Sequence, residues 1–127
     1  MNALTPVAVS IPQLADGEIY LGVVANTAGE LHHVILLPGD NDDASWQAQL
    51  EWAKSIGGDL PTRIEMLFLL ENHRDEFERD AYWTCQPDTD PGYSGWAWYQ
   101  DFGLGHQDLI TRQDTELRAR AVRRLPI

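Results

Sequence analysis

Between Tyr82 and Arg124 the sequence runs in short stretches of alternating aromatic and small residues, cut apart by glycine, proline and aspartate. Such stretches fit a pleated, half-buried surface, so an antiparallel meander is the constraint against which the rest of the chain must pack. Its pieces are Tyr82-Trp83-Thr84-Cys85, a Pro, Gly and Asp loop, Trp96-Ala97-Trp98-Tyr99-Gln100-Asp101-Phe102, a turn at Gly103-Leu104-Gly105, and Arg118-Ala119-Arg120-Ala121-Val122-Arg123-Arg124. The region holds three of the five tryptophans, the only cysteine and five of the nine basic residues. Alternation puts Trp96, Trp98, Gln100 and Phe102 on one side and Ala97, Tyr99 and Asp101 on the other. Burying such aromatics at about 25 cal/mol per Å² supplies much of the stability of a small domain. Trp46, Trp83 and Trp98 are therefore expected in the core, while Trp52 and Trp96 are left open. In the last run Ala119 and Ala121 share one face and Arg118, Arg120 and Arg124 the other, where arginines normally pair with carboxylates.

Upstream, residues 1–17 are broken by Pro6 and Pro12 and read as an extended arm. Residues 18–24 and 30–37 flank Asn26-Thr27-Ala28-Gly29, which predicts a hairpin with Gly29 at positive φ. Each of its strands turns apolar on both faces near one end, which asks for cover by a helix or a partner chain. Pro38-Gly39-Asp40-Asn41-Asp42-Asp43 reads as the end of the second strand. One of its carboxylates, or Ser45, then caps a helix with Trp46, Leu50 and Ala53 as its buried stripe, stopped by Gly57-Gly58. Leu60-Pro61-Thr62-Arg63-Ile64-Glu65 contains a capping box between Thr62 and Glu65 and opens a second helix. Ile64, Leu67, Phe68 and Phe77 are its expected inner stripe, and the charges from Arg74 to Asp80 a solvated face.

At 127 residues the chain has the length of one domain, able to bury about two-thirds of its unfolded surface without staples. The net charge of −11 is uneven, because residues 112–127 carry five arginines against Asp114 and Glu116, leaving residues 1–111 at −14. A surface that acidic repels nucleic acid phosphates and anionic membranes, and attracts basic protein surfaces. The opening MNALTPVAVS lacks the pattern of a secretory signal, and no stretch approaches the roughly 20 apolar residues of a membrane span. The expectation is a cytoplasmic protein, with a virion-associated form as the alternative.

The order and spacing of four pieces resemble the bacterial and prophage family named for the C-terminal domain of Lcl, a collagen-like Legionella adhesin. The pieces are Leu60-Pro61-Thr62-Arg63-x-Glu65, Tyr82-Trp83-Thr84, Ala97-Trp98-x-x-x-Phe102 with Gly103 and Gly105, and Arg118-Ala119-Arg120-Ala121-Val122-Arg123. The match covers roughly residues 46–125, departs at Cys85, where the family often has a small polar residue, and does not extend to the N-terminal hairpin. The resemblance implies an α+β, C-type lectin-like fold, with two helices packed on a twisted antiparallel sheet. The expected organisation is a single domain over 1–127, with an arm at 1–17, a hairpin at 18–37 and the lectin-like core at 46–125. It also implies a non-enzymatic scaffold whose loops bind a protein or glycan, in phage or surface settings.

Few residues suggest chemistry of their own. Gln86-Pro87-Asp88 is the tripeptide that calcium-dependent lectins use for galactose-type sugars, and Asp90 adds a carboxylate. The companion Trp-Asn-Asp is missing, and Pro and Asp in a turn have a simpler reading as turn chemistry. Cys85 with His106 or His33 and Asp101 would make a nucleophilic set, but the spacing does not favour it over inert packing. Zinc spacings and phosphate-cradling glycine loops are absent, and no cofactor is expected. The expected contact surface is the loops 86–95 and 103–115, with Tyr93, Trp96, Tyr99 and His106 as binding residues. Two alternatives stand beside this: an acidic inhibitor that mimics DNA charge to block a host nucleic-acid-binding protein, and a calcium-dependent glycan binder. The apolar hairpin leaves room for a homo-oligomer joined through it.

Overall fold

The computed structural model describes residues 10–90, 92 and 94–127, and for 109–111 the backbone alone. In chain order the elements are β1 (Ile19–Ala25), β2 (Leu31–Ala44), α1 (Trp46–Ser55), α2 (Arg63–Asn72), a 3-10 turn (Arg74–Glu76), β3 (Ala81–Pro87), β4 (Trp96–Asp101), β5 (Gln107–Arg112) and β6 (Leu117–Pro126). The strands form one six-stranded sheet in the order β1-β2-β6-β3-β4-β5, antiparallel throughout except between β3 and β6. The fold is therefore α+β, with two helices on a mostly antiparallel sheet. Among the described residues no helix is long and apolar enough to cross a membrane.

Alternation along the strands separates two cores. Val34, Leu36, Tyr82 and Val122 turn toward Met66 and Leu69 of α2, while Leu37, Trp83, Ala119 and Ala121 turn toward Ala53 of α1. The sheet thus has a helix on each face, which is why His33–Leu37 in β2 are all buried. On the α2 side Phe77 stacks on Phe102 at 4.0 Å, and Tyr82 meets both rings edge-on. The Tyr82 hydroxyl accepts from the Glu78 amide and donates to Asp40, which also holds Arg118. Burial, reinforced by Asp40, pushes that hydroxyl up to about 12, so it remains protonated and a donor.

The hairpin forms as expected, with Gly29 at φ 80° and the Asn26 side chain accepting from the amides of Ala28 and Glu30. Its second strand is longer than expected. Pro38-Gly39 does not end β2 but marks a slip in its pairing with β6 between Leu36 and Asp40, after which pairing resumes to Ala44. A bulge is where an interior strand can accept proline, since no ladder amide is required there. Asp40, Asn41, Asp42 and Asp43 accordingly lie on a strand rather than at the helix entrance, and Ser45 alone caps α1 by accepting from Ala48. In α1, Ala53 is buried and Trp46 and Leu50 pack at the core margin, with Gln49 buried beside them.

The largest correction falls on α2. Ile64, Leu67 and Phe68, expected inside, are 66%, 49% and 41% exposed, while Glu65, Met66 and Leu69 face the sheet. Residues 66–70 are all apolar, so periodicity could not choose a face, and the anchoring of Glu65 chose it. Phe77 is buried, but from the segment beyond the helix. Trp83 is wholly buried with its indole donating to the Ala44 carbonyl, whereas Trp46 and Trp98 are only partly buried, as are Trp52 and Trp96. The expected loop 103–115 contains strand β5, and Gln86-Pro87 completes β3, so much of the anticipated loop surface is ladder. Tyr93 and the arm residues 1–9 lie outside the described residues.

β6 and β3 pair only at Tyr82 and Arg118, and beyond that rung the sheet forks. The segment between the helices fills the fork: Asp59 exchanges both backbone hydrogen bonds with Val122 of β6, and the Pro61 carbonyl accepts from Cys85 of β3. Gly58 enters this wedge so closely that a Cβ would lie 2.6 Å from the Val122 carbonyl oxygen and 2.7 Å from a Leu37 methyl. Gly58→Ala is expected to destabilise the fold by about 2 kcal/mol, the scale of an overpacked core. Urea unfolding of the two proteins measures it, and an unchanged midpoint would contradict the close approach.

Candidate functional site

At the fork lies a cleft of about 670 Å³ between the start of α2, the end of the β1-β2 hairpin, and Gln86 and Gln107 on the far side. Its floor is an ionic cluster. Arg124 of β6 reaches Glu65 with two hydrogen bonds of 2.8 and 2.7 Å, Asp59 at 2.8 Å and the Leu60 carbonyl at 3.1 Å. Glu65, 2% exposed, also accepts from the Thr62 amide at 2.8 Å, and Thr62 accepts from the Glu65 amide, which closes the capping box anticipated from sequence. His32 stands 3.9 Å from the same carboxylate. Burial alone would raise the Glu65 pKa, but the paired guanidinium of Arg124 and the Thr62 amide outweigh it and hold the carboxyl below its ordinary value. The Glu65–Arg124 pair is thus ionised at neutral pH.

Arg63 forms the second part of the site. Its guanidinium lies 3.4 Å above the ring of Trp98. Gln107 brackets it, accepting from Nε at 3.2 Å and donating to the Arg63 carbonyl at 2.7 Å. The Arg63 amide is taken by the Gln86 side-chain oxygen at 2.7 Å. The third part is apolar: Ile64 and Leu67 edge the cleft, and Phe68 and Val23 edge a smaller hollow that adjoins it through Val24 and Ile64.

The residues singled out from the meander are arranged differently. Tyr99 and His106 come together, ring centroids 6.1 Å apart, near the outer edge of the sheet. Trp96 begins β4 and by alternation faces the opposite side of the sheet from Tyr99, so the two do not share a surface. Gln86 serves the start of α2, Asp88 accepts from the Asp90 amide and Asp90 from that of Gly92. The bonds of Asp88 and Asp90 are local turn bonds, and among the described residues no group of three or more His, Cys, Asp or Glu is placed to hold a metal ion. Burial pushes the Cys85 thiol up to about 11, so it is a protonated packing group rather than a ready nucleophile. Sequence reasoning did not single out Arg63, Gln107 or His32 as a set. The one available signal was the arginine inside the capping box, because Gln86, Trp98 and Gln107 are brought to it only by the meander.

No family model matches the chain, and no curated protein matches it significantly.

Glu65→Gln is expected to cost about 3 kcal/mol at neutral pH, because it leaves the Arg124 charge with one carboxylate partner fewer in a half-buried site. The Glu65 pKa is depressed in the folded state, so its contribution is complete above the unfolded value of 4.5 and fades as pH falls through the lower folded value. The gap between variant and parent in urea unfolding should therefore narrow steadily below about pH 4. A gap that stays constant with acidity would place the Glu65 contribution elsewhere.

Proposed function

We propose that this chain is a non-enzymatic recognition module, of C-type lectin-like build and of phage or prophage origin, that captures a protein ligand in the cleft between α2 and the hairpin. The observation that carries the reading is the outward turn of Ile64, Leu67 and Phe68. A helix that presents three large apolar side chains to solvent beside a concave site has the composition of an interface core rather than of a solvated surface. The lectin-like and phage readings draw on the four motif pieces and on the order of helices, meander and closing strand. The non-enzymatic reading draws on the protonated thiol of Cys85 and on cleft carboxylates already committed to Arg124. The glycan and calcium reading is weaker, since Gln86, Asp88 and Asp90 are committed to backbone amides. The acidic-inhibitor reading rests on net charge alone, and Glu18, Asp40, Asp42, Asp59, Glu65 and Glu76 each already face an arginine.

The test is affinity capture from host lysate, quantified by mass spectrometry, with three forms of the protein. Ile64→Lys with Phe68→Lys should unfold within about 0.5 kcal/mol of the parent, as exposed positions do, and lose the proteins the parent retains. Tyr99→Ala with His106→Ala should keep them. Loss of capture in the second variant alone would move the contact surface to the edge of the meander and refute the cleft.

A further inference from the structure

Of the two arginines that line the cleft, Arg63 and Arg124, Arg63 is set apart by what its charge does. Arg112, Arg118, Arg120, Arg123 and Arg124 each have a carboxylate oxygen within 4 Å. Arg74 is spent on the carbonyls of Phe102 and Gly103. Arg63 has no carboxylate partner among the described residues of a chain with 20 acidic side chains, although it lines the cleft. Only its Nε is used, on Gln107, and its flat face is used on Trp98. Both terminal nitrogens keep their donors unspent on any described protein group, while stacking and Gln107 fix the plane in which those donors lie.

From this arrangement we infer that Arg63 is a carboxylate receptor, and that the captured segment presents a carboxylate beside an apolar side chain. A planar guanidinium held at its edge and face offers two parallel N–H groups, the geometry that a carboxylate takes in a bidentate pair. Fixing the fork before the ligand arrives removes much of the side-chain entropy that such a contact otherwise costs. The apolar half of the requirement comes from Ile64, Leu67 and Val24 on the same cleft. A doubly charged phosphate fits less well, because Glu65 sits in the same cleft and the chain as a whole stands at −11. The inference rests on the cleft reading above and adds the chemistry of what enters it.

Small probes test it separately from that reading. N-acetyl-leucine carries a carboxylate next to a branched apolar side chain, and N-acetyl-leucinamide is its neutral counterpart. In titrations followed by amide and indole proton–nitrogen spectra of the full chain, the acid should shift the Trp98 indole and Gln107 side-chain signals saturably. It should bind at least about 10-fold more tightly than the amide, a difference of about 1.4 kcal/mol. Arg63→Gln should abolish that preference while leaving the rest of the spectrum in place, and Arg63→Lys should restore only part of it, having charge without the fork. Acetyl-Glu-Leu-amide distinguishes an acidic side chain from a chain terminus as the source: if it matches the acid, a side chain suffices. Equal binding of acid and amide, an unchanged preference in Arg63→Gln, or tighter binding of inorganic phosphate would each overturn the role of Arg63. Absence of shifts at Ile64 and Leu67 with either leucine probe would instead count against the cleft as a site.

Discussion

The contact between Arg124 and Glu65 decides how the two halves of this molecule meet. One partner is near the end of the last strand and the other in the first turn of α2, 59 residues earlier. Taking both charges from water is costly, and it is offset because each is fully used: the carboxylate by two guanidinium bonds and the Thr62 amide, the guanidinium by Glu65, Asp59 and the Leu60 carbonyl. Its main effect is choice rather than net stabilisation. Turning Glu65 inward forces Met66 and Leu69 against the sheet and leaves Ile64, Leu67 and Phe68 to solvent. The same ties draw Asp59–Pro61 into the fork between β6 and β3, and the cleft lies above that wedge.

The parts of the fold legible in the sequence are those specified by neighbours along the chain. The turn at Asn26–Gly29, the cap at Ser45, the capping box at Thr62 and Glu65, and the alternation of β4 and β6 all depend on residues a few positions apart. The failures share an opposite character. Pro38-Gly39 looks like a terminus, and whether it ends the strand depends on β6, some eighty residues later, offering Arg120 and Ala119 as partners for Asp40 and Asn41. The face of α2 was ambiguous because a five-residue apolar run satisfies any stripe, and a single buried charge settled it. The candidate site was the least legible part, since Arg63, Gln86, Trp98 and Gln107 come from α2, β3, β4 and β5 and carry no common spacing.

The four motif pieces converge around the fork, and most of their residues are framework. Leu60 fills the core and lends its carbonyl, Thr62 and Glu65 close the cap, Tyr82 joins Asp40 to the aromatic cluster, and Phe102 stacks within it. Arg63 on Trp98 is the exception: both belong to the motifs, and Arg63 lines the cleft. The pieces thus mark the architecture strongly and the ligand at one point only.

A single rung of backbone between β3 and β6 leaves the hairpin half and the meander half without a continuous ladder across their boundary. What crosses that boundary is mostly side chains: the indole of Trp83 on the Ala44 carbonyl, that of Trp46 on Thr84, and Tyr82 on Asp40. The junction of the two halves therefore rests on these side chains, together with the Arg124–Glu65 pair and the Asp59–Pro61 wedge, more than on direct pairing of β3 with β6.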